Sequence, residues 1–181
     1  MKPNIHQNYN DGFTVTEILV TMLILAVIVI FAIPSYSNLI NQRRLKMATE
    51  DLYNFIKASE ARGLDLPSSY YLSFQPGNPW CYGLSDSSTC NCALANSCTV
   101  QGLQTIMSST NYSGELLSLS TSGFNGASSN PYITFKGNQG SIDTAGTITL
   151  STASGLSTII SANQQGLITI CSNTVSSYPS C

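Results

Sequence analysis

The sequence predicts an α+β protein in which one long N-terminal helix, membrane-spanning in its first half and amphipathic in its second, packs against a strand-rich C-terminal head. Three observations carry this expectation. Residues 18–33 form an almost wholly apolar run broken only by Thr21. Helical spacing of apolar residues then continues to Gly63. Beyond Gly63, short alternating runs are separated by Gly, Pro, Asn and Ser, the punctuation of strands and turns. With 181 residues the chain has the size of one ordinary domain.

The N-terminal run comes first along the chain. Extended back to Phe13 it covers 21 residues, 13–33, close to the ~20 needed to cross a hydrocarbon core. Its Leu, Ile, Val and Phe residues contribute roughly −4 to −7 kcal/mol on an insertion scale, against about 2.5 to 3.5 for a central acid and less for one near the end, such as Glu17. A buried helix of a soluble core is rarely this apolar all round. A secretory signal peptide has a shorter apolar region and a small-residue cleavage site; this run carries a carboxylate and ends in Pro34-Ser35-Tyr36.

The amphipathic half, 34–63, carries Leu39, Ile40, Leu45, Ala48, Leu52, Phe55 and Ile56 at intervals of three and four, with Arg43, Arg44, Lys46, Glu50, Asp51, Lys57 and Glu60 among them. A continuous helix over 13–62 would be roughly 75 Å long, stopped by Gly63. Pro34 removes a backbone donor and clashes one turn back, so a kink or local unwinding is expected there. One pattern opposes the topology this implies. The positive-inside rule would hold Arg43, Arg44 and Lys46 in the cytoplasm, since the leader offers only Lys2 and the terminal amine.

The head, 64–181, has a different composition. Residues 67–181 contain only Lys136, Asp86, Glu115 and Asp143 as charges, and about a third of them are Ser or Thr. Strands are expected at 69–74, 80–84, 116–120, 132–135, 146–150, 156–160 and 166–171, with a turn at Pro76-Gly77-Asn78-Pro79. These should cover the apolar stripe Leu45 to Ile56, with Trp80 in the shared core.

Composition excludes several functions. Charged residues are 9% of the chain, against a typical quarter, and the net charge is −2; with 43% hydrophobic residues, disorder throughout is excluded. The same balance offers no electrostatic footprint for nucleic acid. The only histidine is His6, so a chain processed after Gly12 has none, which removes Ser-His-Asp and Cys-His catalysis and any imidazole zinc site. Asp86, Glu115 and Asp143 are too scattered for paired-carboxylate chemistry. No enzymatic activity and no cofactor are expected.

Six cysteines lie in the head: Cys81, Cys90, Cys92, Cys98, Cys171 and Cys181. The first four read C-x₈-C-x-C-x₅-C, unlike the paired C-x₂₋₄-C knuckles of zinc sites, so disulfides are preferred and no metal is expected. Fifteen pairings exist for six cysteines. Cys171 with Cys181 is the favoured single bridge, and Cys90 with Cys92 the least favoured, because one intervening residue strains the geometry.

Gly12-Phe13-Thr14-Val15-Thr16-Glu17, followed at once by the apolar run and by Pro34, resembles the processing site of type IV prepilins and pseudopilins. The resemblance implies a type IV pilin fold. It implies a cleaved leader, 1–12, cut between Gly12 and Phe13 by prepilin peptidase, which then methylates Phe13. It implies that Glu17 meets the N-terminal amine of a neighbouring subunit during assembly, a sensible fate for a carboxylate that is costly in lipid. The motif and the cysteines place the head outside, against the positive-inside count.

The stretch Leu52-Tyr53-Asn54-Phe55-Ile56-Lys57-Ala58-Ser59-Glu60-Ala61-Arg62, with Trp80-Cys81-Tyr82-Gly83, Phe135-x-Gly137 and Gly166-x-Ile168-x-Ile170-Cys171, resembles the GspH/FimT group, most of all a FimU-type minor pilin. The implied function is a minor pilin that primes a type IV pilus and sits at or near its tip. The implied alternative is a GspH-type minor pseudopilin of type II secretion. The implied partners are other minor and major pilins, prepilin peptidase, the inner-membrane assembly platform, and the lipid bilayer before assembly. The implied location is the bacterial inner membrane, single-pass with the head in the periplasm, then the filament or tip at the cell surface. Some FimT-like members bind DNA through Gly-Arg-x-Arg; the matching Gly166-Leu167-Ile168-Thr169 has neither arginine, so DNA is not an expected partner.

Overall fold

The computed structural model describes residues 12–65, 67–112 and 117–181, the side chains of residues 31–35 excepted. The leader residues 1–11 with His6, Glu115, and Leu116 at the start of the expected third strand lie outside the described residues.

One helix, α1 (Val15–Asp65), holds the N-terminal third. Its assignment is unbroken at Pro34, so the local unwinding that proline permits does not interrupt it. The helix begins two residues later than Phe13 and continues two residues past Gly63. Gly63 is not a stop. A Cβ there would stand 3.3 Å from the Phe135 Cβ and 3.6 Å from the Lys136 carbonyl, so glycine lets the helix approach a strand rather than end. The helix ends instead ahead of Pro67, as helices usually do near a proline.

Among the described residues no helix is long and apolar enough to cross a membrane. The described side chains of the apolar stretch run from Phe13 to Ile30, short of the 21 residues read from the sequence.

The chain divides into two compact units, Met1–Leu39 and Ile40–Cys181. In the second, eleven strands follow the helix among the described residues: β1 (Tyr70–Gln75), β2 (Cys81–Ser85), β3 (Thr99–Val100), β4 (Leu103–Gln104), β5 (Ile106–Ser108), β6 (Leu117–Ser122), β7 (Asn125–Ala127), β8 (Asn130–Phe135), β9 (Gly146–Thr152), β10 (Ser157–Ala162) and β11 (Ile168–Cys171). They form a five-stranded sheet ordered β5-β2-β1-β8-β7, a four-stranded sheet ordered β11-β10-β9-β6, and the small hairpin β3-β4. All pairings are antiparallel, as short connections allow. The register Leu72↔Ile133 joins two fully buried side chains on the inner face of the first sheet. A bridge between Gly77 and Leu119 stitches the two larger sheets together.

Each of the seven expected strands is present, with described ends displaced by at most two residues. The four not anticipated, β3, β4, β5 and β7, have two or three residues each, too few to show alternation.

The core lies between the later half of α1 and the two sheets. Leu45, Ala48, Leu52 and Ile56 are fully buried, and they join Leu72, Phe74, Trp80, Tyr82, Ile133, Phe135, Ile148 and Leu150 in one cluster. Period 3.6 from the helix meets period 2 from the strands. Trp80 is 1% exposed and stacks on Tyr82 at 5.9 Å, as a core residue. Phe55 meets Tyr82 edge-on at 5.0 Å. One polar contact crosses the core. The Thr49 hydroxyl donates to the Leu45 carbonyl at 2.7 Å, so the Thr158 hydroxyl must donate to Thr49, also at 2.7 Å.

Candidate assembly and processing site

The start of α1 is built by two side chains. Thr14 stands immediately before the first helical residue, and its Oγ1 accepts from the Glu17 amide at 3.3 Å. The Glu17 Oε2 accepts in return from the Thr14 amide at 2.8 Å and from the Thr14 hydroxyl at 2.8 Å. This reciprocal arrangement is a capping box, which satisfies two of the donors a helix start leaves orphaned. The Thr-x-x-Glu spacing that announces it is present in the sequence, where Glu17 stands out first as a charge in an apolar run and hides its second role as a cap.

The box sets the surroundings of the Gly12-Phe13 bond. Gly12 and Phe13 lie outside the helix and are exposed, Phe13 by 86%. A Cβ on Gly12 would meet nothing within 4 Å, so this chain's own packing does not demand glycine there. Immediately after the box, every side chain from Ile18 to Ile30 is exposed, the large apolar ones by 48 to 67%. Apolar surface of that extent and continuity marks an interaction surface.

Further along the helix, adjacent acids receive phenols from two separate parts of the head. The Tyr112 hydroxyl donates to Asp51 at 2.8 Å. The Tyr178 hydroxyl reaches Glu50 at 3.5 Å, the long limit of such a bond, and Lys46 approaches the same carboxylate at 3.7 Å. Burial, and then Glu50, push the Tyr178 phenol up to about 12. Burial and the acceptor Asp51 raise the Tyr112 phenol. The Tyr82 phenol is also raised, chiefly by burial.

The six cysteines form three disulfides: Cys81–Cys92, Cys90–Cys98 and Cys171–Cys181, with Cα separations of 5.8, 5.2 and 5.0 Å. The C-terminal bridge is the one favoured from the sequence, and Cys90 does not pair with Cys92. The first two bridges interleave around β2 and the following loop. Gly83 makes this possible, because a Cβ there would lie 2.6 Å from Cys98 Sγ. The C-terminal loop is organised further by Ser172, whose Oγ donates to the Ser157 carbonyl at 2.6 Å and accepts from the Thr174 and Val175 amides.

Among the described residues no group of three or more His, Cys, Asp or Glu side chains is arranged to hold a metal ion. A half-open cavity of about 220 Å³ at the end of α1 is lined by Arg62, Asp65, Tyr70, Val100, Leu103 and Thr105. Asp86 accepts from the Gln101 amide, and Asp143 accepts from Asn125 and the Thr134 amide; Glu115, the third acid of residues 67–181, lies outside the described residues. At the position of the DNA-binding signature, Gly166 takes a left-handed turn, Leu167 is 61% exposed and Ile168 is buried in the core. Comparison with protein-family models, with curated proteins and with solved structures finds no match.

Proposed function

We propose that this chain is a minor pilin that helps prime a type IV pilus and sits at or near its tip. The single observation that carries the reading is the order of features at the N-terminus: an exposed Gly12-Phe13 bond, a capped helix start at Thr14 and Glu17, then an exposed apolar helix surface from Ile18 to Ile30. Prepilin peptidase would find its bond exposed and outside the helix, and removal of residues 1–12 would leave Phe13 as a methylated terminus beside Glu17. The apolar segment 13–33 would anchor the subunit in the inner membrane and then exchange lipid for neighbouring pilin helices in the filament. That membrane stage rests on the sequence, 21 residues with Glu17 near one end. The head would contact other minor subunits, with its loops held by disulfides rather than by ion pairs.

Glu17 is central. A carboxylate in an apolar filament core is stable only when paired. In this reading it exchanges the Thr14 amide for the Phe13 amine of an adjacent subunit. A second reading, a minor pseudopilin of type II secretion, shares every one of these features and differs in the machine served. Deletion of the gene separates the two. A loss of surface pili with secretion intact supports the pilus reading; a loss of secreted enzymes with pili intact overturns it in favour of the pseudopilin. Normal pili and normal secretion would sink both.

A further inference from the structure

Between Glu17 and Glu50 the chain carries three charges, all positive and all within four residues: Arg43, Arg44 and Lys46. They account for three of the seven basic residues in the whole sequence. Such a band is usually a solvated helix face, and its surroundings decide whether it is more. Arg43 is exposed, Arg44 and Lys46 are half-exposed, and among the described residues neither arginine has an ion pair or hydrogen-bonding partner. Of the nearest acids along the helix, Glu50 is approached by Tyr178 and, at 3.7 Å, by Lys46 of the band itself, and Asp51 is engaged by Tyr112.

We infer that Arg43, Arg44 and Lys46 form a docking band for the phosphate headgroups of anionic phospholipid, on the leaflet from which the apolar segment emerges. The inference rests on the membrane stage of the reading above. Arg43 lies ten residues beyond the end of the apolar run, about 15 Å of helical rise. Helix side chains lean back toward the N-terminus, and long cationic ones snorkel toward headgroups, so the charges come within about a Debye length of the lipid phosphates.

Anions of another kind are scarce on this protein. In a second copy of the chain, Glu17, Glu50, Asp51, Glu60, Asp86 and Asp143 are each already occupied by a donor or a lysine, which leaves Asp65 as the one exposed acidic side chain without a donor among the described residues. Nucleic acid is disfavoured, because the head contributes only Lys136 as a further cation between residues 67 and 181. Lipid phosphate is the abundant anion adjacent to the apolar segment, and it also gives the band a purpose where it opposes the positive-inside count. The cations hold the head close to the bilayer until the subunit is drawn into the filament.

The test uses the full chain, reconstituted in phosphatidylcholine bilayers containing a third phosphatidylglycerol, with native mass spectrometry of the lipids that stay bound. Each juxtamembrane cation contributes roughly a few-fold, so retained lipid should be enriched in phosphatidylglycerol on the order of ten-fold over the bilayer. Replacement of all three by glutamine (R43Q, R44Q and K46Q together) should return the ratio to that of the bilayer. R43K with R44K should keep the enrichment, because the phosphates respond to charge. An unchanged enrichment in the triple glutamine variant overturns the inference. So does wild-type chain that floats with the vesicles and shows no lipid preference, while the membrane reading survives. Chain that fails to float even with neutral vesicles defeats both. Altered self-association of the glutamine variant, with lipid ratios unmoved, assigns the band to subunit contacts and overturns it as well.

Discussion

At Glu17 one carboxylate oxygen accepts from both the amide and the hydroxyl of Thr14, and two conservative substitutions separate that local duty from the one proposed in assembly. Glu17→Gln keeps an acceptor for the box and removes the charge, so helicity should hold while entry into filaments falls sharply. Thr14→Ala removes the reciprocal cap at a cost of about 1 kcal/mol to the helix start and leaves the charge, so entry should continue. Co-purification of each variant with sheared filaments reads the difference. A glutamine variant that enters as well as wild type would reduce Glu17 to a capping residue. The buried aromatic cluster gives a second prediction at this scale. The Tyr82 hydroxyl and the Trp80 indole N–H have no hydrogen-bond partner among the described residues. An unsatisfied buried donor costs stability. Tyr82→Phe should therefore leave the thermal midpoint unchanged or raise it, whereas Tyr82→Ala should cost about 3 to 5 kcal/mol, because it empties the site between Phe55 and Trp80. A clear loss of stability in Tyr82→Phe would show that the hydroxyl has a partner after all.

Among the elements, the disulfide-bound strands and the helix with its two phenols behave differently under stress. Removing the Cys171–Cys181 bridge by paired serine substitution should cost about 2 to 3 kcal/mol, read as a lower denaturation midpoint. Gly83→Ala should cost a comparable amount, because the added methyl meets the Cys98 sulfur and the neighbouring backbone rather than a yielding side-chain tip. Alkaline pH acts on the helix-to-head ties. Tyr178 and Tyr112 titrate higher when folded than when unfolded, so the stability they lend is fully present below about pH 10. It is lost as pH rises through their folded values, with Tyr178 at about 12. Unfolding midpoints should thus be flat to about pH 10 and then fall. With Tyr112→Phe and Tyr178→Phe together the decline should be shallower. The strands themselves were legible from the sequence wherever they held four or more residues, because a run of that length separates period 2 from period 3.6. The hairpin β3-β4 and strand β5 were not. Their positions depend on Cys90–Cys98 and on the contact of Gly83 with that bridge, and the spacing of six cysteines does not encode which of them meet.

For the whole molecule, the low charge count resolves into distinct regions: an apolar N-terminal segment, a charged helix half, and a hydroxyl-rich head whose residues 67–181 hold three acidic side chains and one lysine. The α+β class and the helix stripe Leu45 to Ile56 followed from periodicity, which survives without any knowledge of contacts. The candidate site was less legible. Gly12, Phe13 and Glu17 stood out by resemblance, while the hydrogen bonds that tie Glu17 to Thr14 came from the geometry of the helix start. The end of the helix was misplaced because Gly63 looked like a cap, and a glycine kept for close approach to Phe135 has the same letter. What would bind these regions into one functional account is the proposed maturation event at a single peptide bond. The direct measurement is therefore the intact mass and N-terminal sequence of the chain produced together with a prepilin peptidase. The account predicts a protein lacking residues 1–12 and beginning with methylated Phe13. A chain that keeps Met1, or one cut after Ile33, would contradict it.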